Sequence, residues 1–282
     1  MLVDTHTHLY PWSLDGVQTV GELLKTAGQK NLSGVCITDH YDFDSVTADG
    51  RHWTFDPAEY RKMNEPFRKR PSKLAEGEAP GLLVGIEIGF LRHRIPEIHE
   101  LARRKEFDQV ILSLHEYRGI DPVVDTKNLF DDPLPVVYGR LLGEMADAMA
   151  EFPEAAICGH YDFFSRYAPV ARPKMCYEHA PEAFDRLFSV LIAGSQSLEI
   201  NTGTVAYLHE RFGYSLEDSM PDPAILKRYL QMGGRILTLA SDGHNTADDC
   251  RYFKETLDFL KAQGVKELYW MEERSWYSAS PF

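Results

Sequence analysis

The chain has 282 residues, 44% of them hydrophobic and 26% charged, a balance ordinary for a globular protein with a sizeable core. Its formal net charge of −13 excludes a general nucleic-acid surface, which needs clustered Lys and Arg. No apolar stretch approaches the ~20 residues of a membrane span, and no charged-then-apolar leader precedes Asp4. Cys36, Cys158, Cys176 and Cys250 form no CxxC pair, so the expectation is a cytoplasmic protein without a disulfide framework or membrane contact.

Taken in chain order, the sequence alternates. Strand-like runs fall at 2–8, 34–40, 82–88, 109–115, 155–160, 197–201 and 235–241. Helical patterns lie between them at 17–31, 57–70, 96–105, 136–152, 181–194, 223–232 and 247–263. Pro57, Pro96, Pro181 and Pro223 suit first-turn positions, where a missing N–H costs nothing. Seven strand–helix repeats predict an α/β fold, a parallel sheet either open or closed, in a single domain over residues 1–282. Closure is favoured, because only a barrel gathers every strand end around one mouth. The late run 267–271 reads as an extra edge strand or a covering segment. The long connections 41–55 and 119–135 are expected to shape substrate access.

The chemistry sits where strands stop. Val3-Asp4-Thr5-His6-Thr7-His8 places two imidazoles on one strand face, and later runs end in His40, Glu87, His115, His160 and Asp242-Gly243-His244. Six of the eleven histidines therefore lie at strand termini, a pattern hard to produce by chance. With Asp15 on the first loop, nine groups emerge as metal ligands: His6, His8, Asp15, His40, Glu87, His115, His160, Asp242 and His244. Imidazole and carboxylate suit Zn, Mn or Fe. Nine are too many for one ion, which implies two to three divalent cations, with Glu87 and Asp242 as candidate bridges. Asp15 precedes a helix and is equally readable as a cap. Asp4 is expected to orient the imidazole of His6 or His8, and Asp39 that of His40. His52, His93, His99, His179 and His209 lie in loops or helices and are read as solvated.

Clustered divalent ions support hydrolysis, and phosphate esters suit them because non-bridging oxygens can span several cations. Such a site needs a cationic partner for the phosphoryl oxygens, and Arg166, shortly after His160, is the leading one. A small phosphorylated substrate follows. A non-catalytic metal-binding module is the alternative from another class, disfavoured by the intact ligand set.

Asp4-Thr-His6-Thr-His8, Ser13-Leu-Asp15, Thr38-Asp39-His40, Gly85-Ile-Glu87, Leu112-Ser-Leu-His115, Gly159-His160-Tyr-Asp, Glu199-Ile-Asn201-Thr202 and Ser241-Asp242-Gly-His244 resemble, in order and almost end to end, the PHP (polymerase and histidinol phosphatase) family. Gly119-Ile-Asp121 with Lys127-Asn-Leu-Phe130, and the segment from His160 to Arg166-Tyr167, are similar to its histidinol-phosphate phosphatase branch. The resemblance implies a distorted (β/α)7 TIM-like barrel with three metal positions: His6, His8, Glu87 and Asp242; Glu87, His115 and His160; Asp15, His40 and His244. It implies that Arg166 holds the phosphate and that L-histidinol phosphate is hydrolysed. The leaving alkoxide then needs a proton or a metal, for which Asp242 and His244 are the candidates.

Two departures stand out. The branch tends to carry an arginine soon after Glu-Ile-Asn-Thr, whereas here the first is Arg211, expected either to reach in from a longer loop or to leave that contact unmade. Gly243 stands where alanine is commoner, a difference expected to matter little. A PHP phosphoesterase acting on a nucleotide or oligonucleotide phosphate is the runner-up. An amidohydrolase-type barrel is more distant, because no lysine follows the middle strands.

Overall fold

The structure, a computed structural model, describes residues 1–75 and 77–282. Its strands in chain order are β1 (Val3–Thr7), β2 (Gly34–Ile37), β3 (His40–Tyr41), β4 (Gly81–Val84), β5 (Ile86–Gly89), β6 (Val110–Ser113), β7 (Ile157–Cys158), β8 (Ser197–Asn201), β9 (Leu237–Ala240), β10 (Leu268–Glu272) and β11 (Ser275–Ala279). The helices are α1 (Val20–Gln29), α2 (Pro57–Asn64), α3 (Ile95–Ala102), α4 (Thr126–Leu129), α5 (Leu134–Glu151), α6 (Pro181–Gly194), α7 (Thr202–Phe212), α8 (Leu216–Ser219), α9 (Pro223–Gln231) and α10 (Phe253–Ala262).

β1, β2 and β4 pair in parallel, and so do β3, β5, β6, β7, β8 and β9 in that order. β2 runs on into β3 and β4 into β5, each across a short interruption, so these four segments are two strands of one sheet. The seam then closes. Asp242 N donates to His6 O (2.9 Å) and His8 N to Gly243 O (2.8 Å), while Thr5 Oγ1 donates to Leu239 O (3.0 Å). The result is a seven-stranded parallel barrel with helices outside. Among the described residues, no helix is long and apolar enough to cross a membrane.

Local chemistry explains the helix starts. Thr19 and Glu22 form a reciprocal capping box on α1, and Asp56-Pro57 and Asp222-Pro223 combine a side-chain cap with proline in the first turn. The run 267–271 is a covering segment: β10 and β11 form an antiparallel hairpin. Trp270 packs on Val3, Cys36 and Leu83 at the strand starts, which stoppers the barrel floor. The Arg274 guanidinium completes the plug by donating to the carbonyls of Ala102, Arg104, Phe107 and Glu154.

Some expectations need correction. The segment after Asn201 is not a loop but the helix α7, hidden in the sequence by Thr202-Gly203-Thr204-Val205, a poor helix-forming start rescued by the Asn201 side chain capping Gly203 N (2.8 Å). The helix expected from residue 247 begins only at Phe253, because Cys250 and Tyr252 adopt left-handed backbone (φ 56° and 59°). α2 stops at Asn64, with Pro66 in the single 3₁₀ turn that follows.

Candidate functional site

The mouth of the barrel collects the strand ends. His6 lies in β1, His40 in β3 and Glu87 in β5, while His8, His115, His160, Asp242 and His244 follow β1, β6, β7 and β9 within a few residues. The structure brings all nine sequence-derived ligand candidates together here, with neighbouring rings close: His8 is 4.2 Å from His40 and 4.1 Å from His244, and His115 is 5.4 Å from His160, centroid to centroid.

Three groupings emerge. In the first, His6 Nε2 and His8 Nε2 lie 3.2 and 3.7 Å from Glu87 Oε2, and 3.8 and 3.3 Å from Asp242 Oδ1. In the second, Glu87 Oε1 faces His115 Nε2 (3.1 Å) and His160 Nε2 (2.8 Å). In the third, His244 Nε2 lies 3.3 Å from His40 Nε2 and 3.2 Å from Asp15 Oδ2. His40 Nδ1 reaches Glu87 Oε2 at 2.8 Å and links the groups.

These atoms fit cations. His6 Nε2, His8 Nε2, His40 Nδ1 and Glu87 Oε2 are buried and, close as they lie to one another, none is aligned for a hydrogen bond among the described residues, a costly arrangement unless an ion completes it. Four ligands at bonds of about 2.0 Å around a tetrahedral ion stand roughly 3.3 Å apart, and the first grouping has that spacing. Glu87 and Asp242 each contribute to a grouping and touch further partners, as bridging carboxylates would.

Electrostatics follow from the same contacts. Burial raises the carboxyls of Glu87 and Asp242, but the imidazoles around Glu87, and His6 and Arg166 around Asp242, outweigh it and hold both well below the usual range. Burial lowers His244, yet the hydrogen bond and charge of Asp15 win and lift it to about 9. His8 goes the other way: burial, then His244 and His40, push it well below its ordinary value. The metal-free site therefore holds a proton on His244 at neutral pH. A cation must displace that proton, so affinity at the Asp15–His40–His244 position is expected to rise as pH climbs from 6.5 through 9. The stabilising Asp15–His244 pairing of the metal-free protein shows the opposite trend, complete below about pH 6.5 and lost through 9. Calorimetric titration of metal-free protein in buffers of different ionisation enthalpy checks this; uptake without proton release at pH 7 would contradict it.

Neighbours aim the imidazoles. His6 Nδ1–H donates to Glu199 Oε1 (2.8 Å), whose other oxygen accepts from His160 N (2.6 Å) and Asn201 Nδ2 (3.1 Å). His115 Nδ1–H donates to Asp42 Oδ1 (2.8 Å), and His244 Nδ1–H to the Asp242 carbonyl (2.9 Å). Sequence reasoning assigned no role to Glu199, Asn201 or Asp42. Their signal was spacing: Glu199 and Asn201, like His40 and Asp42, are two apart in or beside a strand and share a face.

Asp4 does not orient an imidazole. A bulge in β1 between Asp4 and Thr7 turns Asp4 off the histidine face, and its carboxylate takes Ser241 N (3.0 Å) and Ser241 Oγ (2.5 Å). Asp39 does not reach the His40 ring either; it accepts from Leu9 N (2.6 Å), Ser13 Oγ (2.7 Å) and Tyr60 OH (2.8 Å). Of the five remaining histidines, His52 and His93 are exposed. His99, His179 and His209 are half-buried, with His99 against Phe152 and His209 Nδ1–H donating to Tyr214 O.

Beside Asp242 opens a cavity of about 340 Å³, lined in part by Arg166, Tyr207, Arg211, Asp242, His244 and Arg251. Its walls are α7 and the turn after β9, not the two long connections. Loop 41–55 instead supplies Asp42 to His115 and sets the Trp53 ring 5.5 Å from His40. Arg166 Nε donates to Thr204 Oγ1 (3.0 Å), Nη2 to Asn201 Oδ1 (3.1 Å) and Nη1 to Asp242 Oδ2 (3.3 Å). Arg211 sits in the last turn of α7, stacked over Tyr207 with Nη1 donating to its hydroxyl (2.9 Å). It therefore reaches the cavity from a helix, not a longer loop. Arg251 is neutralised by Glu210 and Asp248.

Gly243 matters more than its small size suggests. A Cβ there would collide with Asp249 Oδ1 and stand 3.0 Å from Ser241 Oγ. Asp249 is buried and holds Gln18 Nε2 (3.0 Å), which also donates to the carbonyls of His8 (3.2 Å) and Gly243 (3.3 Å). Gly243→Ala is expected to destabilise the protein by about 1–3 kcal/mol, and Asp249→Ala in the same chain to restore part of that. Thermal unfolding of the single and double variants checks it.

Comparison with known proteins bears on the fold and the family. A Clostridium acetobutylicum protein named "Probable histidinol-phosphatase" is 25% identical over 270 residues, covering 95% of this chain and 96% of its own. The Lactococcus lactis histidinol-phosphatase is 23% identical, covering 94% and 93%. The crystal structure of histidinol phosphate phosphatase from Lactococcus lactis, complexed with zinc, L-histidinol and phosphate, shares the fold with a TM-score of 0.80 at 20% identity over 98% of both chains. The PHP domain family model matches residues 4–203, most of the chain and most of the groups just described, and the chain belongs to the PHP domain family.

Proposed function

We propose that the chain is a metal-dependent phosphomonoesterase that hydrolyses L-histidinol phosphate to L-histidinol and phosphate. The observation that carries the reading is the set of buried, unpartnered imidazole and carboxylate atoms at the barrel mouth, opening directly onto an arginine-lined cavity. The names and the bound zinc, histidinol and phosphate of the relatives supply the substrate.

Two to three divalent cations would be held, by His6, His8, Glu87 and Asp242, by Glu87, His115 and His160, and by Asp15, His40 and His244. Such ions supply Lewis acidity and a nucleophilic water near neutral pH. The residues do the rest. Glu199, Asp42 and the Asp242 carbonyl fix the tautomers of His6, His115 and His244. Arg166, held by Thr204, Asn201 and Asp242, offers its remaining N–H and its charge to phosphoryl oxygens beside Asp242, and Arg211 adds positive charge farther out. Of the two candidates for proton transfer, Asp242 stays a carboxylate and accepts. His244 is the one that carries a proton when no cation has replaced it.

Steady-state kinetics on histidinol phosphate against a panel of phosphate monoesters, with elemental analysis of the same preparation, test the reading. Expected are bound divalent metal, kcat/KM for histidinol phosphate at least tenfold above the panel, and loss of activity on chelation that added metal restores. Equal turnover of generic esters overturns the substrate, and full activity after complete metal removal overturns the mechanism.

A further inference from the structure

His8 carries one of the unpartnered buried nitrogens, and what lies behind it is a closed chain of hydrogen bonds. Its Nδ1 lies 3.0 Å from Ser13 Oγ. That hydroxyl donates to Asp39 Oδ1 (2.7 Å) and accepts from His40 N (3.1 Å). Asp39 also takes Leu9 N (2.6 Å) and, on its other oxygen, the phenol of Tyr60 (2.8 Å). Ser13, Asp39 and Tyr60 are each 0% exposed, so bulk water does not compete for these hydrogen bonds.

The count of donors settles the tautomer. A hydroxyl has one hydrogen and two acceptor sites. The Ser13 hydrogen is committed to Asp39, and His40 N can only donate. The link to His8 must therefore run from Nδ1–H to Oγ, which leaves Nε2 as a bare lone pair facing Asp242 Oδ1 at 3.3 Å. Tyr60 lies on α2, beyond the 41–55 connection, and Trp12 and Phe55 pack edge-on or tilted around its ring. The phenol thus ties a separate helix to the carboxylate that holds Ser13.

We propose that Ser13 and Tyr60 are positioning residues that act in series through Asp39 to hold His8 as a cation ligand. This rests on the metal-dependent reading above. Ser13 acts directly on the ring, and Tyr60 acts only by fixing the acceptor of the Ser13 hydrogen. Outer groups of this kind commonly change metal affinity 10–100-fold.

The test is Co²⁺ titration of metal-free wild type, Ser13→Ala, Tyr60→Phe and the double variant, followed by Co²⁺ absorption against a competing chelator. The number of ions bound and thermal unfolding are recorded on the same samples. Ser13→Ala is expected to weaken the affected ion by about 10–100-fold and Tyr60→Phe by about 3–10-fold, with the double variant no weaker than Ser13→Ala alone. Ser13→Thr, which keeps the hydroxyl, restores most of the affinity. Additive losses in the double variant overturn the serial arrangement. Unchanged Co²⁺ affinity, with only the unfolding temperature lowered, overturns the positioning role and leaves the metal reading intact. A wild type that takes up no Co²⁺ overturns that reading itself.

Discussion

Glu87→Gln is expected to lower kcat/KM on histidinol phosphate by on the order of 10³-fold, about 4 kcal/mol of barrier, with bound metal falling in parallel. The side chain has nearly the same shape, so the change isolates one charge and one pair of oxygens. Oε2 faces His6, His8 and His40 at 3.2, 3.7 and 2.8 Å. Oε1 faces His115 and His160 and accepts from Ser113 Oγ (2.6 Å). No other carboxylate described in the site touches so many imidazoles. Glutamine carries no charge and its amide nitrogen has no free lone pair to ligate with, so it could not bridge two cations. The metal-free protein responds as well. Burial lowers His6 and His115, but Glu87 is among the carboxylates that raise both well above the ordinary value. A raised imidazole stabilises the fold fully below its unfolded pKa of about 6.5 and loses that contribution as pH rises. Metal-free Glu87→Gln is therefore expected to lose stability most at acidic pH. Elemental analysis, kinetics and circular dichroism across pH read these effects together. Wild-type metal content with wild-type activity would remove Glu87 from the centre of the site.

Much of this cluster was legible from residue order, because imidazoles and carboxylates placed where parallel strands stop are gathered at one mouth when those strands close into a barrel. HxH, Glu87 and Asp242-Gly-His244 declare themselves by type, and the strand–helix alternation states where their strands stop. The outer partners are less visible. Glu199 and Asp42 are ordinary acids until the barrel closes and sets them 2.8 Å from imidazole nitrogens. Asp4 misled for a physical reason: strict alternation holds only in a regular strand, and the bulge in β1 inverts its phase. α7 was missed because its opening Thr-Gly-Thr-Val has weak helix propensity, while its stability comes from an N-cap and from burying Val205 and Leu208. A loop leaves the reach of Arg211 undefined, whereas a helix fixes it on the cavity wall beside Tyr207.

Arg166→Ala is expected to lower kcat/KM by on the order of 10²–10³-fold with metal content unchanged, and Arg166→Lys to recover little of it. The guanidinium is held by three acceptors from different segments, Thr204, Asn201 and Asp242. Its plane also lies over Phe163, 5.3 Å from the ring centroid. Lysine can neither span those acceptors nor keep a fork toward phosphate. The loss should fall mainly on kcat, because a group held beside Asp242 meets the phosphoryl oxygens where charge develops. Arg211→Ala offers the contrast. Arg211 is exposed and rests on the Tyr207 ring and hydroxyl, so its removal is expected to raise KM by roughly threefold to tenfold with little change in kcat. Inhibition by inorganic phosphate separates the two further, weakening strongly in Arg166→Ala and modestly in Arg211→Ala. If Arg211→Ala proves the more damaging, the phosphate lies one helical turn or more farther out than the Asp242–Arg166 pair implies. The arginine that the branch resemblance leads one to expect soon after Glu-Ile-Asn-Thr would then have its functional counterpart at the far end of α7.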